Sequence, residues 1–393
     1  MKKKSILTLL LAAWVSIHAL SQTVGIALYY NEVVSSLVVY FTSGTYLVKQ
    51  GEEPVLQCNK GDILFVSLDS GQIKLHNEQE DFGFYDSLEM EALTIDGTFR
   101  LRPVTPALES RSYDDHLLLQ PRDVFINIIN ELDYDKYIAG VLETEVGPNV
   151  QKEVYKAHAL LTRTYMLKQY AKHEEEGFSL CDGVHCQAFH GRAMYNPEII
   201  EAVYETSGEV VADFHYKLIT AVYHANSGGE TQRAADVWLK DTDYLQAVID
   251  PHSLNQRQSK WYDTIYFNDW KAYLLENGME SVRKIPDELL YIQQRHRKKH
   301  FILDKDSILM TRIREDWDLK STFFNMFPEV GGRIVIWGKG YGHGVGLSQE
   351  GAMKMADLGY SYRDIIQFYY FNVRIMHYED LPRSSLPEHF YSD

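Results

Sequence analysis

From Thr23 to about Phe125 the chain is built of short β-like runs broken by Gly, Asn and Asp. "VGIALYY", "SLVVYF" and "DILFVSL" each combine β-branched and aromatic residues, the composition that suits a pleated, half-buried surface. A hundred residues that keep returning to turn formers confine this part of the chain to β-structure. Helical spacing arrives later. In "NVQKEVYKAHALLTRTYMLKQYAKH", Val150, Val154, Ala157, Leu161, Thr164 and Leu167 fall on one stripe, which predicts a long helix. "NPEIIEAVYETSG" predicts a second, with Asn196 as N-cap, Pro197 at the first position and Gly208 past the end.

"KLITAVYHA" reads as a buried strand running into the turn "NSGG". The C-terminal part reads strand, turn, helix, helix. "RIVIWGKG" is the strand, "YGHGVG" the turn and "SQEGAMKMADLG" a helix. "SYRDIIQFYYF" opens with Ser361 and Asp364 in capping-box spacing. The expected class is α+β, β-rich, with several helices packed around a cleft. The expected division is a β-rich region over 22–125, a core over 126–379 with a variable insertion at about 253–310, and a polar tail over 380–393. The insertion carries the basic run "QRHRKKHF", read as a solvated hairpin or helix face.

The chain opens with Lys2, Lys3 and Lys4, an apolar run from Ile6 to Ile17, and small residues at Ala19 and Ser21. That is the pattern of a signal peptide over 1–21, and it predicts an exported protein. No other long apolar run is present, so no transmembrane anchor is expected. The formal net charge is −16, which argues against nucleic acid as a partner. Three cysteines make no disulfide framework.

HExxH, P-loop, GxSxG and GxGxxG patterns are missing from the sequence. What remains is less common. "VLETEVGPN" holds Glu143 and Glu145. In a strand they would share a face; in a helical turn they point apart. "YGHGVG" sets His343 between glycines, ahead of a helix opening with Ser348 and Gln349. It reads either as a ligand-lined turn or as a tight structural one. "HANSGGET" sets Ser227, Gly228 and Gly229 beside His224. No base stands at a fixed spacing from Ser227, so hydrogen bonding or turn structure is a better reading than a nucleophile. "HEEEGFSLCDGVHCQAFHG" gathers His173, Cys181, His185 and Cys186. These suit either a tetrahedral zinc ion or a Cys181–Cys186 disulfide.

Taken together, "YIAGVLETEVGP", "KAHALLTRTYML", "LCDGVHCQAFHG", "YHANSGGETQRAADVW", "DLKSTFF" and "GKGYGHGVGLSQEGAMKMADLGYSYRDII" resemble the ordered blocks of the stage II sporulation protein D family, the SpoIID/LytB domain. The resemblance covers roughly residues 95 to 375. It implies a peptidoglycan lytic transglycosylase acting in the periplasm or cell envelope. Such an enzyme cleaves the bond between N-acetylmuramic acid and N-acetylglucosamine and leaves 1,6-anhydro ends. It implies Glu145 as the single acid/base, with Glu143 a solvated or supporting charge. It further implies structural zinc on His173, Cys181, His185 and Cys186. Arg163, Tyr165, Ser227, Gly228, Gly229, His343 and Gln349 are the implied substrate-binding residues, lining or supporting a glycan-binding cleft. Two other readings stand beside this one: a non-catalytic peptidoglycan-binding module that stimulates a cell-wall amidase, and a zinc hydrolase with His343 or His224 on the metal.

Overall fold

A computed structural model describes residues 22–238 and 241–386. The expected signal peptide over 1–21 lies outside the described residues, as do 387–393 of the expected tail. The architecture is mixed α+β and β-rich.

The N-terminal runs form two antiparallel-dominated sheets. A seven-stranded sheet has Ile126–Asp133 between Thr23–Ala27 and His116–Pro121, and the short strand Leu180–Cys181 pairs parallel to Thr23–Ala27 at its edge. A six-stranded sheet has Ser36–Ser43 between Thr98–Thr105 and Ile63–Asp69. Alternation decides what each strand buries. Leu117 and Leu119 of one sheet and Phe99 and Leu101 of the other point into a shared apolar core with Tyr46 and Val48.

Strand Ile126–Asp133 runs directly into helix α1, Tyr134–Glu145. Asp133 caps it, its side chain accepting from the Asp135 and Lys136 N–H groups. The helix ends at Glu145 because Gly147 turns the chain at φ +74°. Helix α2, Lys152–Lys168, and helix α3, Pro197–Glu205, pack on α1 and on each other. Helix α2 serves two cores. Tyr155, Ala159 and Met166 face the sheets, while Ala157, Leu160 and Leu161 face a second cluster with Val345, Leu347 and Ile366. A third core surrounds Trp270 and draws on residues 265–336.

The C-terminal strand Arg333–Lys339, the Ser348-capped helix Gln349–Asp357 and the Ser361/Asp364 capping box all form. "KLITAVYHA" does not become a strand along its length. Only Tyr223–His224 form a strand, parallel to Leu347–Ser348, and Leu218 makes an isolated bridge to Ala212. Side chains and irregular backbone contacts share its other groups: the Lys168 ammonium donates to the Leu218 carbonyl, the Thr220 N–H donates to the Tyr244 hydroxyl, and the Ile219 N–H donates to the Val211 carbonyl. The basic run is not simply a solvated face either. Its Arg297 reaches inward and donates to the Ser227 and Glu230 carbonyls. Leu381, in the segment expected as a tail, is buried against the first core.

Candidate functional site

Glu145 is the last residue of α1, and its carboxylate is half-buried. Its Oε1 accepts one hydrogen bond, from the Ala188 N–H at 3.1 Å. Burial raises the carboxyl above its usual range, and the single backbone donor only partly offsets this. The unpaired carbonyls at the end of α1 disfavour the anion further. Among the described residues no charged neighbour contributes to the shift.

Glu143, two residues earlier, faces elsewhere. Its two oxygens accept from the Met194 and Tyr195 N–H groups at 3.1 and 2.9 Å. Between the two glutamates, the Thr144 hydroxyl accepts from the His190 N–H at 3.2 Å. Three consecutive side chains at the end of α1 therefore hold loop 188–195. They are not a carboxylate pair; they divide into one desolvated acid and one loop anchor. Gly140 allows the loop to come this close, since a Cβ there would stand 2.4 Å from both the Gly191 carbonyl and the Phe189 ring.

The glycine turns reach the glutamate from the other side. The Gln349 amide, at the first position of its helix, donates to the Glu145 carbonyl at 3.4 Å. Tyr223 lies near enough that the Glu145 charge adds to the effect of burial in raising its phenol well above the usual range. His343 is half-buried and both its ring nitrogens are committed. Nδ1 accepts from the Val345 N–H at 3.0 Å, so Nε2 carries the proton and donates to the Tyr223 carbonyl at 2.9 Å. Burial pushes its pKa down to about 4, so the ring is neutral. It holds the backbone that carries Tyr223 and packs on Trp238 at 5.1 Å. It has no nitrogen left for a metal or for proton transfer. His224 donates through Nδ1 to the Val345 carbonyl and lies outside the metal-ligating group.

Two expected substrate contacts are corrected. Arg163 is 1 % exposed. Its guanidinium pairs with Asp135 at 2.9 Å and donates to the carbonyls of Val203, Thr206 and Glu209. It fastens α2 to the end of α3 and cannot reach a sugar. Arg163→Met is expected to cost about 3–5 kcal/mol, because it leaves Asp135 and several carbonyls without their donor; chemical denaturation measures this. Ser227 is fully buried, its hydroxyl 2.7 Å from Asp250 and 2.6 Å from the Ser253 hydroxyl. No histidine joins that pair, and the side chain is closed to a substrate. Gly228, at φ +69°, is pressed on Gly340, and Asn226 and Tyr341 exchange backbone hydrogen bonds at 3.1 and 2.8 Å. The two glycine turns thus lock to each other. Of that trio Gly229 alone is half-exposed, and its N–H is held by the Ser253 hydroxyl at 2.9 Å.

The four Cys and His residues converge. Their ligand atoms all lie within 4.8 Å of one another. The Cys186 Sγ is 3.5 Å from His173 Nε2 and 3.9 Å from His185 Nδ1, and the Cys181 Sγ is 3.8 Å from His185 Nδ1. Metal bonds of ~2.3 Å to sulfur and ~2.1 Å to nitrogen would set such atoms about 3.6 Å apart around a tetrahedral ion. Both thiols are free rather than bridged. Glu176 takes the His173 Nδ1 at 2.5 Å and so turns Nε2 toward Cys186. The residues present fit a metal ion. Tyr165 stands beside this group, its phenol raised first by burial and then by the Cys186 and Cys181 charges. Gln187, next along the chain, meets the Tyr137 hydroxyl at 3.3 Å, and Ala188 follows with its N–H on Glu145. A metal here would hold the loop that supplies the only hydrogen bond to that carboxylate found among the described residues.

Sequence reasoning missed Tyr223 and the donor at Ala188. Tyr223 adjoins the "HANSGG" turn, which was its available signal; a backbone N–H leaves none.

The family model "SpoIID: Stage II sporulation protein" matches residues 123–212. The chain is 27% identical over 284 residues to an uncharacterised protein of Brachyspira hyodysenteriae, covering 72% of this chain and 77% of that protein. It is 27% identical over 266 residues to the stage II sporulation protein D of Bacillus amyloliquefaciens, covering 63% and 75%. To the amidase enhancer of Bacillus subtilis it is 26% identical over 285 residues, covering 59% of this chain and 39% of that longer protein. Among the described residues no helix is long and apolar enough to cross a membrane.

Proposed function

This chain belongs to the stage II sporulation protein D family, and from that premise we propose that it is a lytic transglycosylase of peptidoglycan glycan strands, acting outside the cytoplasmic membrane. The observation that carries the reading is the isolation of Glu145: a desolvated carboxyl with one backbone donor and its neighbour Glu143 turned away. Hydrolysis of a glycoside ordinarily uses two carboxyl groups. Transglycosylation needs one. Protonated Glu145 gives its proton to the glycosidic oxygen as the bond from the muramyl C1 breaks. The carboxylate then takes the proton of the muramyl 6-hydroxyl as that oxygen bonds to C1. The products are a 1,6-anhydro end and a free 4-hydroxyl, with Glu145 again protonated.

A raised pKa favours the acid form that starts the cycle. The rate is therefore expected to fall as pH rises through that pKa. The pH profile of kcat/KM is expected to lose this alkaline limb's origin in Glu145→Gln. A profile governed by a histidine would count against the assignment.

Glu143 has a different test. Glu143→Gln keeps one carbonyl acceptor and loses the charge-assisted hold on the other N–H, worth about 1–2 kcal/mol of loop order. KM is expected to rise several-fold with kcat changed far less than in Glu145→Gln. Equal damage from both variants would mean a true carboxylate pair.

The metal is proposed to be zinc on His173, Cys181, His185 and Cys186, in a structural role because four protein ligands leave no open position. The signal-peptide pattern over 1–21 supports export. Likeness to the amidase enhancer favours a second reading, in which the site holds glycan and a cell-wall amidase does the cutting. Mass analysis of digested glycan decides between them, since a binder yields no anhydro ends.

A further inference from the structure

The three-stranded sheet of Lys260–Tyr266, Arg333–Lys339 and Phe324–Glu329 has two unlike faces. Ile265, Ile334, Ile336 and Met326 point inward to the core around Trp270. Alternation turns the residues between them outward. There Tyr262 is 66 % exposed, Trp337 54 % and Phe327 37 %. Tyr262 and Trp337 are direct cross-strand partners with ring centroids 5.8 Å apart, and Phe327 meets Trp337 at 5.1 Å from the third strand. The three rings form one row across the sheet, in steps close to the length of a sugar unit. Single exposed aromatics are ordinary, whereas a contiguous row left open to solvent on one face marks a contact surface.

The same face carries positive charge with no counter-charge of its own. Lys260 and Lys339 are exposed and stand directly opposite each other. Like charges in such a pair destabilise a sheet. Neither ammonium has a hydrogen bond or ion pair among the described residues, and that of Lys339 lies over the Phe323 ring at 4.9 Å. The Lys320 ammonium lies over the Tyr341 ring at 5.9 Å, also without a carboxylate partner among the described residues. Arg333, at the opposite end of its strand, is neutralised by Glu329 at 3.0 Å. In a chain of net charge −16, free lysines beside a row of rings fit a ligand that combines flat apolar faces with anionic groups.

The middle strand leads from this face to the Glu145 site. Beyond Lys339 the chain enters the turn that holds His343, whose Nε2 donates to the Tyr223 carbonyl. Trp337 and His343 are six positions apart, so no more than ~20 Å of chain separates them. Tyr341, 42 % exposed, lies within that interval, and Trp238, 45 % exposed, stands at its end, 5.1 Å from the His343 ring. A bare glycan strand has the matching chemistry: each sugar offers a C–H face to a ring, and each muramyl unit offers a lactyl carboxylate to a lysine.

We propose that the outer face of this sheet is a second glycan contact. Tyr262, Trp337 and Phe327 stack on sugar rings, and Lys260 and Lys339 take the lactyl carboxylates of bare muramyl units. The protein thereby holds a long strand outside the Glu145 site while one bond is cut there. The inference rests on the glycan reading above. The test is equilibrium binding to Glu145→Gln protein, which does not turn over. The probes are a short bare muramyl-containing oligosaccharide, a long strand of the same composition, and glycol chitin, a soluble polymer without carboxylates. The long strand is expected to bind about tenfold tighter than the short one, because its second contact is intramolecular. Trp337→Thr, which keeps the strand preference of the site, is expected to bring that ratio close to one, with short-oligosaccharide binding and melting temperature unchanged. Lys260→Glu turns a like-charged cross-strand pair into an opposite one. It is expected to weaken the long muramyl strand several-fold and leave glycol chitin unaffected, with a melting temperature no lower than before. Equal binding of long and short strands, or an unaltered ratio in Trp337→Thr, would overturn the proposal and leave the role of Glu145 in place. Sedimentation showing a dimer that Trp337→Thr dissociates would overturn it too, by giving the face to a second copy of this chain. Trp337-dependent binding of long strands, with no anhydro ends formed by the wild-type protein, would leave the sheet face standing and sink the transglycosylase reading instead.

Discussion

Glu145→Gln is expected to abolish formation of 1,6-anhydro ends, a loss of about 10²–10⁴-fold for removal of a general acid/base, while the protein stays folded. Glutamine keeps the shape and the carbonyl that accepts from Ala188. It removes a carboxyl whose pKa burial has raised. The sign of the stability change follows. A raised carboxyl favours the folded state at low pH and gives up that contribution as pH rises through the folded pKa. At neutral pH the neutral amide is therefore expected to melt no lower than wild type. Product mass analysis and a melting curve check both halves. Residual anhydro product near the wild-type level would remove Glu145 from the reaction, and hydrolysed reducing ends would replace transglycosylation by water attack.

The second large effect is expected from the metal. Purified protein should carry one equivalent of zinc, and its removal, or Cys181→Ser, should lower the melting temperature and the activity together. The reason lies in the chain path. Residues 173–186 supply all four ligands, and Gln187 and Ala188 follow at once. Losing the ion leaves two thiols and two imidazoles with no common centre and frees the loop that supplies the Glu145 donor. Structural zinc contributes binding energy directly to folding, on a scale of ~10 kcal/mol in small domains, against a total stability of ~5–15 kcal/mol. A melting temperature lower by roughly 10 °C is a moderate expectation. Hydrogen exchange at the Ala188 amide would report the local loosening. Metal-free protein with an unaltered melt but no activity would indicate a catalytic ion instead.

Much of the site could be read from the order of its segments. "YIAGVLETEVGP" closes α1 with Glu145, and "HEEEGFSLCDGVHC" places four ligands within 4.8 Å. Local chemistry carried the capped ends as well, including the Ser361/Asp364 box. What failed was the assignment of roles by adjacency. Arg163 and Tyr165 are two apart on α2, yet Arg163 is buried under α3 and Tyr165 stands beside the Cys/His group. Residues two apart on a helix point in unrelated directions. Ser227 and His343 lie in turns that look open in sequence and prove to be packed on each other's neighbours.

The sequence by itself determined the β-rich N-terminal region, the long helix after Glu145 and the cluster of metal-ligating residues, because hydrophobic period, capping and close spacing are local properties. Without the family resemblance, residue type and spacing could not separate Glu143 from Glu145. Their difference is which part of loop 188–195 each one meets: Ala188 for Glu145, Met194 and Tyr195 for Glu143. Nor could it bring Gln349 and Tyr223 to the end of α1 across gaps of more than two hundred and nearly eighty residues. Only packing decides which of two like charges loses its water, and that loss is what raises the pKa of the one read as the catalyst.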